Sequence, residues 1–193
     1  MEKHIWALFR GEIQKNCDFA LLAYGDMMKY SGLEEQNEKD RSDRIWLSIE
    51  SFLIAVANIS KILWPSRPPK CTECKHQPEL SAKVSSRAKD LRTILSVREP
   101  SPLEKRSFRN FFEHYDFELE DWVSGSNKQL VYDSNVGPIE LIIKSSNKPT
   151  SIIRHFDQYK SVIFYRGRQY HLKPVVEALK ELKVKAETIS MTI

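Results

Sequence analysis

The strongest constraint on the fold of this chain is a run of regularly spaced apolar residues within residues 43–63. The spacing alternates between four and three residues, which is the repeat that lines one side of a helix packed against neighbouring helices. Trp64-Pro65 ends the run, because proline disfavours helical geometry in the residue before it. The pattern therefore predicts a core helix. Its apolar seam consists of Ile45, Ile49, Phe52, Val56, Ile59 and Leu63.

Similar but weaker patterns predict helices over residues 4–30 and 80–97. Residues 33–43 form a charged connector, and residues 65–79 a proline-rich loop. A fourth helix is predicted from Ser101 to Val123. Ser101 would be its N-cap, Pro102 its first helical residue, and Glu104 the second half of a capping box.

The hydrophobic period changes after residue 128, where short β-branched and aromatic segments predict strands. Arg166-Gly167-Arg168 is a candidate turn, and Pro174–Leu182 a candidate helix. We expect an α+β fold, with a four-helix bundle over residues 1–124 and a small α/β unit over residues 125–193. The predicted strands are Gln129–Tyr132, Ile139–Lys144, Ile152–His155, Ser161–Arg166 and Val184–Ile189.

Composition limits the setting in which the chain works. Its longest apolar run, Phe52–Ala57, is far shorter than the ~20 residues of a spanning helix, so no membrane span is expected. The N-terminal residues show no secretory signal, and an odd count of three cysteines argues against a disulfide framework. These features predict a cytoplasmic protein.

The net charge of +4 is unevenly distributed. Residues 64–100 carry 8 basic and 4 acidic side chains, and residues 125–193 carry 11 basic and 6 acidic side chains. Either basic segment could lie along a polyanion, and either could equally be a solvated surface.

The predicted fourth helix has two distinct faces. Its large apolar residues fall within an arc of roughly 80° at about 100° per residue, so that arc should face the core. Arg109, Asn110 and His114 point away from the arc. An ordinary solvated face with pairs such as Arg109–Glu113 would also explain them. The core arc consists of Phe108, Phe112, Tyr115, Leu119 and Trp122.

The string Arg109-Asn110-x-x-x-His114 resembles the Arg…His signature of the HEPN superfamily, the higher-eukaryote and prokaryote nucleotide-binding domains. The wider stretch from Ser101 to Trp122 is similar to a little-studied bacterial HEPN-like branch, and so is the stretch from Trp46 to Pro65. The resemblance covers roughly residues 40–123, and the motif lies in the last helix of a four-helix pattern.

The resemblance implies a metal-independent endoribonuclease of a toxin or phage-defence type, without a cofactor. Such proteins pair as dimers, so the implied partners are RNA, a second copy held through helix four, and an antitoxin or other protein. The alternative is a HEPN-like module without catalysis that binds RNA, nucleotide or a protein. The implied catalytic residues are Arg109, Asn110 and His114, with substrate binding by Arg106, Glu113 and Asp116.

A second cluster, Cys71-x-x-Cys74-x-His76, has thiolate and imidazole groups at zinc-like spacing. A structural zinc site needs a fourth ligand, and Cys17 is distant in sequence and predicted to lie in the core. The alternative is an ordinary loop with two reduced thiols. No glycine-rich phosphate loop occurs, which argues against an enzyme that uses ATP or NAD.

Overall fold

The computed structural model describes residues 2–32, 37–65, 78–105, 115–124, 130–145 and 150–189. The fold is α+β, as predicted: mostly helical, with a small mixed sheet toward the C-terminus. The helices are α1 (Lys3–Ser31), α2 (Glu38–Leu63), α3 (Pro78–Ile94), α4 (Tyr115–Ser124), α5 (Ile139–Ser145) and α6 (Leu172–Thr188), with a 3-10 turn at Pro102–Glu104.

The strands form two small sheets. A four-stranded sheet has the order β2-β4-β5-β6, in which β2 runs parallel to β4 and the other pairs are antiparallel. A separate parallel pair joins β1 and β3. The strands are β1 (Leu130–Tyr132), β2 (Asn135–Val136), β3 (Thr150–Ile152), β4 (Arg154–Asp157), β5 (Val162–Tyr165) and β6 (Arg168–His171).

The core is centred on the antiparallel pair α1 and α2, and α6 packs against α1. The predicted seam of α2 is confirmed, since all six of its residues are buried. Cys17 is also buried in the core, as predicted. One core cluster contains apolar residues from α1, α2, β4, β5 and α6 and so lies on both sides of residue 124. The division into two units at that residue stays a prediction.

Helix α2 begins five residues earlier than the predicted start at residue 43, because Asn37 caps it. The Asn37 side-chain oxygen accepts hydrogen bonds from the backbone N–H groups of Lys39 (3.1 Å) and Asp40 (3.3 Å). Glu38 and Asp40 in the first turn also suit the positive end of the helix. Residues predicted as a charged connector are therefore the first turn of a helix.

Two predicted strands are wrong. Ile139–Lys144 is helical, because Pro138 precedes it and Asp157 Oδ2 accepts the Ile139 N–H at 3.3 Å. Val184–Ile189 includes the last turns of α6. The buried residues of α6 continue at helical spacing through Leu182 to Ala186. These residues extend the apolar face of the helix, so the helix continues beyond its predicted end at Leu182.

The predicted turn Arg166-Gly167-Arg168 is confirmed as the hairpin between β5 and β6. Arg166 and Gly167 both have left-handed backbones, with φ of 43° and 77°, which suits the twist of a two-residue hairpin. The predicted strand Ile152–His155 is divided at Ile153, where the chain leaves β3 and enters β4 in the other sheet. Strands β2 and β6 were not predicted.

The start of the predicted fourth helix is wrong. Residues Pro102–Glu104 form a single 3-10 turn, and Lys105 returns to extended backbone (φ −60°, ψ 106°). Ser101 does act as a cap, since its hydroxyl accepts the Leu103 N–H at 3.3 Å. Buried Leu103 anchors this turn where it contacts α2 and α6. Residues 106–114 lie outside the described residues, and α4 ends at Ser124, close to the predicted end.

Helix α2 is long and apolar enough to cross a membrane by length and composition alone. However, 61% of its most apolar stretch is buried inside the protein, as in the core helix of a globular domain. These properties are weak evidence in either direction.

Candidate nucleic-acid interface

Most of the residues singled out from the sequence lie outside the described part of the chain. Asp116 is the exception: it is the second residue of α4. The residues whose placement the structure does not describe are Arg106, Arg109, Asn110, Glu113 and His114 of the HEPN-like motif and Cys71, Cys74 and His76 of the zinc-like cluster.

Helix α4, which directly follows the motif, is attached to the C-terminal sheet. Arg166 in the β5–β6 hairpin donates a hydrogen bond from Nη2 to Asp121 Oδ2 at 2.7 Å. Within α4, Leu119 is half-buried and Phe117 is exposed. This agrees with the predicted core arc, which includes Leu119 and not Phe117. The β5–β6 hairpin therefore contacts α4 through this ion pair.

The basic C-terminal segment is largely neutralised by internal ion pairs. The best defined is made by Arg154, which donates two hydrogen bonds to the carboxylate of Asp133, at 2.9 and 2.7 Å. Burial alone would raise the pKa of Asp133, but the hydrogen bond and charge of Arg154 outweigh it and hold that pKa below its usual value. Other cations of residues 125–193 paired with carboxylates are Lys160, Arg166, Lys180, Lys183 and Lys185.

A different arrangement lies between α1 and α3, where three nitrogen donors have no acceptor. Trp6 is only 3% exposed, and its indole N–H has no hydrogen-bond partner. The Nε atoms of Arg10 and Arg87 are also buried without a partner. Neither arginine lies within 4.0 Å of a carboxylate in the described part of the chain. We call these three residues the Trp6–Arg10–Arg87 cluster.

The helices place these donors in one region. Trp6 and Arg10 are one turn apart on α1 and so lie on the same face of that helix. Arg87 reaches the same part of α1 from α3, with its guanidinium carbon 4.1 Å from the centre of the Phe9 ring. Partial burial lowers the pKa of Arg87, although an arginine stays charged at any physiological pH. Arg87 thus lies beside Phe9, the residue that precedes Arg10 in α1, and neither arginine has a carboxylate partner among the described residues.

The sequence pointed to one of these three residues, and only as part of a basic segment. Arg87 belongs to the basic segment 64–100. Arg10 was missed because residues 1–63 are net acidic, with 8 basic and 10 acidic side chains. Counting charge along the chain averages over paired and unpaired groups, so it cannot identify an arginine that lacks a partner.

The four-stranded sheet contains a second buried polar group, His155, for which the sequence predicts no role. His155 is fully buried, and neither of its ring nitrogens has a hydrogen bond of normal geometry. Burial lowers the pKa of His155, and the backbone of Gly137 and the charge of Asp157 only partly oppose that effect. The neighbouring Asp157 accepts the Lys160 N–H at 3.0 Å and holds the start of α5. This group supports the fold and offers no open site.

The described residues contain no group of three or more His, Cys, Asp or Glu side chains that could hold a metal ion. Burial raises the pKa of the Cys17 thiol to about 12, so this thiol stays protonated at neutral pH and is a poor metal ligand.

Comparison with known proteins adds no family. No protein-family model matches the chain, and neither a curated protein nor a solved structure resembles it at a significant level. The HEPN resemblance therefore stays a prediction that rests on the quoted residues.

Proposed function

We propose that this protein binds RNA and cleaves it without a metal ion, with Arg109 and His114 carrying the reaction. Two independent features support the proposal. The first is the likeness of residues 40–123 to HEPN domains. The second, and the structural observation that carries it, is the Trp6–Arg10–Arg87 cluster, whose donors have no acceptor within the described residues.

Unpartnered arginines favour a phosphate ligand for a physical reason. A buried Nε–H that has lost water without gaining an acceptor destabilises the folded state, while the rest of each guanidinium keeps its charge and its other donors for a ligand. A phosphate supplies both the missing negative charge and several acceptor oxygens, and arginine matches those oxygens with its planar set of donors. An RNA backbone offers such phosphates in series.

The cleavage chemistry fits the residue types of the motif. The ribose 2′-hydroxyl attacks the adjacent phosphorus and loses its proton to a base, while the bond to the 5′-oxygen breaks and that oxygen gains a proton. Histidine serves either proton step near neutral pH, and arginine neutralises the charge that builds on the phosphate. His114 would move the proton, Arg109 would hold the phosphate, and Asn110 would orient His114. A second copy, held through helix four, would supply the other proton-transfer group.

The second candidate function is a HEPN-like module that binds RNA, nucleotide or a protein partner and does not cleave. The same cluster favours it, because phosphate binding by Arg10 and Arg87 requires no catalytic group. A toxin or phage-defence role, with an antitoxin as partner, belongs to the catalytic proposal.

Cleavage of a mixed RNA pool by the purified full-length protein tests the proposal. We expect products that end in a 2′,3′-cyclic phosphate, with and without EDTA. Arg109→Ala and His114→Ala should each reduce the rate at least ~10²-fold, the usual contribution of a placed proton-transfer or charge-stabilising group.

Matched controls are Arg98→Ala and His171→Ala, which remove the same residue types from exposed positions. These two variants should cleave like the wild type. Cleavage that survives both motif substitutions, or that EDTA abolishes, would contradict the mechanism. RNA binding without any cleavage would favour the second candidate.

A further inference from the structure

The outer side of the α1–α2 pair carries a wide apolar groove. Its volume is about 500 Å³. The large apolar side chains that line it are solvent-exposed: Phe19 by 53%, Leu22 by 67%, Leu47 by 66% and Ile54 by 62%. The residues between them are small, among them Ala23, Ser48 and Ala55, so the surface there is concave. We call this surface the outer groove.

The exposed side of α2 lies opposite its core seam, because positions two residues after that seam are about 200° around the helix. Two large apolar side chains of the outer groove, Leu47 and Ile54, lie there seven residues apart and so on nearly the same line along the helix. The other positions on this side are polar: Ser51, Asn58 and Lys61. The groove thus combines two apolar contact points of α2 with those of α1.

One end of the outer groove carries two opposite charges that lack ion-pair partners. Asp26 on α1 and Arg44 on α2 both line the groove. Neither makes an ion pair within the described residues. Arg44 lies 5.4 Å from the centre of the Tyr30 ring, and Tyr30 is one turn beyond Asp26. The two charges thus lie at the same end of the helix pair, on different helices.

We propose that the outer groove is the docking surface for a second copy of this chain, related by a two-fold axis parallel to the helices. Because α1 and α2 are antiparallel, this axis places α1 of one copy over α2 of the other, also antiparallel. The result is a four-helix bundle in which every helix is antiparallel to its neighbours. Asp26 of each copy then lies about one helical turn, roughly 6 Å along the axis, from the level of Arg44 of the other, within reach of the long arginine side chain.

The size of the surface agrees with this occupant. Helix α2 has 26 residues, which corresponds to a length of about 39 Å. Two helices packed side by side are about 20 Å wide. Their outer side therefore offers about 800 Å² per copy, which is the area that each partner of a standard stable interface buries.

This interface is separate from the proposed RNA site. Trp6 and Arg10 lie roughly 120–160° around α1 from Leu22 and Asp26, and Trp6 is buried in the core. It also differs from the dimer predicted through helix four, because it uses α1 and α2. A failure of one proposal therefore leaves the other standing.

Sedimentation velocity of the full chain over a range of concentrations tests the inference. We expect the wild type to associate through the groove, as a dimer if this interface acts alone and as a larger assembly if helix four also pairs. Leu22→Asp or Ile54→Asp should weaken the groove contact at least ~100-fold, because a carboxylate would be buried against apolar side chains without a partner. Both residues are exposed within one copy, so circular dichroism should show unchanged helix content, and the melting temperature should match the wild type at concentrations where both are monomers. The control Val184→Asp, an exposed apolar residue of α6, should leave the dimer intact.

Charge exchange sharpens the test. Asp26→Arg and Arg44→Asp should each weaken the dimer about tenfold or more, and the double variant should recover most of the affinity, since the opposite charges again face each other. A strict monomer at every concentration would overturn the inference. So would a dimer that both groove substitutions leave unchanged; if that dimer is lost on substituting Arg109 or His114, the interface is the one through helix four. RNA cleavage is measured separately and reports on the proposed function alone.

Discussion

The C-terminal unit and the α1–α3 region are both rich in cations, yet they use them in opposite ways. In the C-terminal unit, cations such as Arg154 and Lys180 face carboxylates of the same chain. Between α1 and α3, Arg10 and Arg87 have no carboxylate within reach among the described residues. The paired cations stabilise the fold, whereas the unpaired ones leave positive charge available to a ligand. If the proposed function holds, pairing, and not the number of cations, separates the RNA-binding surface from the rest of the protein.

Removal of a paired cation should cost the most stability. Arg154 binds Asp133 with two hydrogen bonds and lies 5.5 Å from the centre of the Trp46 ring. Arg154→Ala removes this ion pair and the packing of a largely buried side chain on Trp46. Because the Asp133 carboxylate is partly solvated, the free energy of unfolding should fall by about 1–2 kcal/mol. RNA affinity should stay within about twofold of the wild type after the loss of one non-contacting charge. Urea unfolding and an RNA-binding titration check the two parts, and a stable variant that loses RNA binding would reverse the roles of the two regions.

His155 extends the comparison to a group that can lose its charge. Like the Nε atoms of Arg10 and Arg87, its ring nitrogens have no hydrogen bond of normal geometry, but unlike arginine it is neutral above its pKa. Its folded pKa lies below the ordinary value of 6.5, so the unfolded state takes up protons first as the pH falls. His155 therefore causes no loss of stability above about pH 6.5. Below that pH its effect lowers the free energy of unfolding by up to about 1.4 kcal/mol per pH unit. Asp133 adds nothing in this window, since its pKa is lowered from 3.8.

Melting temperatures at pH 7.5, 6.5 and 5.5 would show this loss. His155→Leu should flatten the decline, whereas the exposed His171→Leu should leave it unchanged. Equal slopes in all three proteins would mean that His155 carries no part of the pH dependence.

A smaller loss of stability is expected on removing the hydrogen bond that joins α2 to Ser134. The indole N–H of Trp46 donates to the backbone carbonyl of Ser134 at 2.7 Å, and the Ser42 hydroxyl donates to the same oxygen at 3.1 Å. Trp46→Phe removes the first bond and keeps most of the apolar contact. We expect a loss of about 1 kcal/mol in unfolding free energy. A loss below about 0.3 kcal/mol in chemical denaturation would show that the Ser42 hydroxyl is sufficient.

The smallest loss of stability should follow removal of the Asp121–Arg166 ion pair, which joins α4 to the β5–β6 hairpin. Asp121 is largely exposed, so its ion pair with Arg166 contributes about 0.2–1 kcal/mol. Asp121→Asn should therefore change the melting temperature little, and high salt should reduce the difference further. A large destabilisation would show that the hairpin holds α4 more firmly than one exposed pair allows.

The sequence predicted those parts of the fold in which one physical signal dominates. The α2 seam was predicted correctly because its spacing is regular over five turns and all of it is buried. Ile139–Lys144 was assigned as a strand because its β-branched residues suit a strand. The side chain that turns it into a helix, Asp157, lies 18 residues away in sequence. The start of α2 was misplaced because a capping Asn37 was read as part of a charged connector.

Prediction of the candidate site had a different limit. A motif of a few residues indicates a chemistry, and Arg109 and His114 stay predictions of that kind. The Trp6–Arg10–Arg87 cluster depends on which donors lack an acceptor after folding. That property depends on contacts such as that of Arg87 with Phe9, and no local pattern around Arg10 contains it.

The most direct test of the account is the salt dependence of RNA binding with both arginines of the cluster replaced. Binding of a labelled single-stranded RNA is measured by fluorescence anisotropy at several salt concentrations, in a His114→Ala background that keeps the RNA intact. Arg10→Gln combined with Arg87→Gln is compared with Arg98→Gln combined with Lys180→Gln, which removes the same charge from exposed cations that already have carboxylate partners.

The account predicts that the first pair of substitutions lowers affinity at least tenfold at low salt. It should also reduce the slope of log K against log salt by about 1.4, or about 0.7 for each lost phosphate contact to a single strand. The melting temperature should stay the same or rise, because two unpartnered charges are gone. The control pair should leave affinity and slope nearly unchanged. Equal losses in both double variants, or no loss in either, would contradict the claim that the unpaired arginines form the RNA-binding surface.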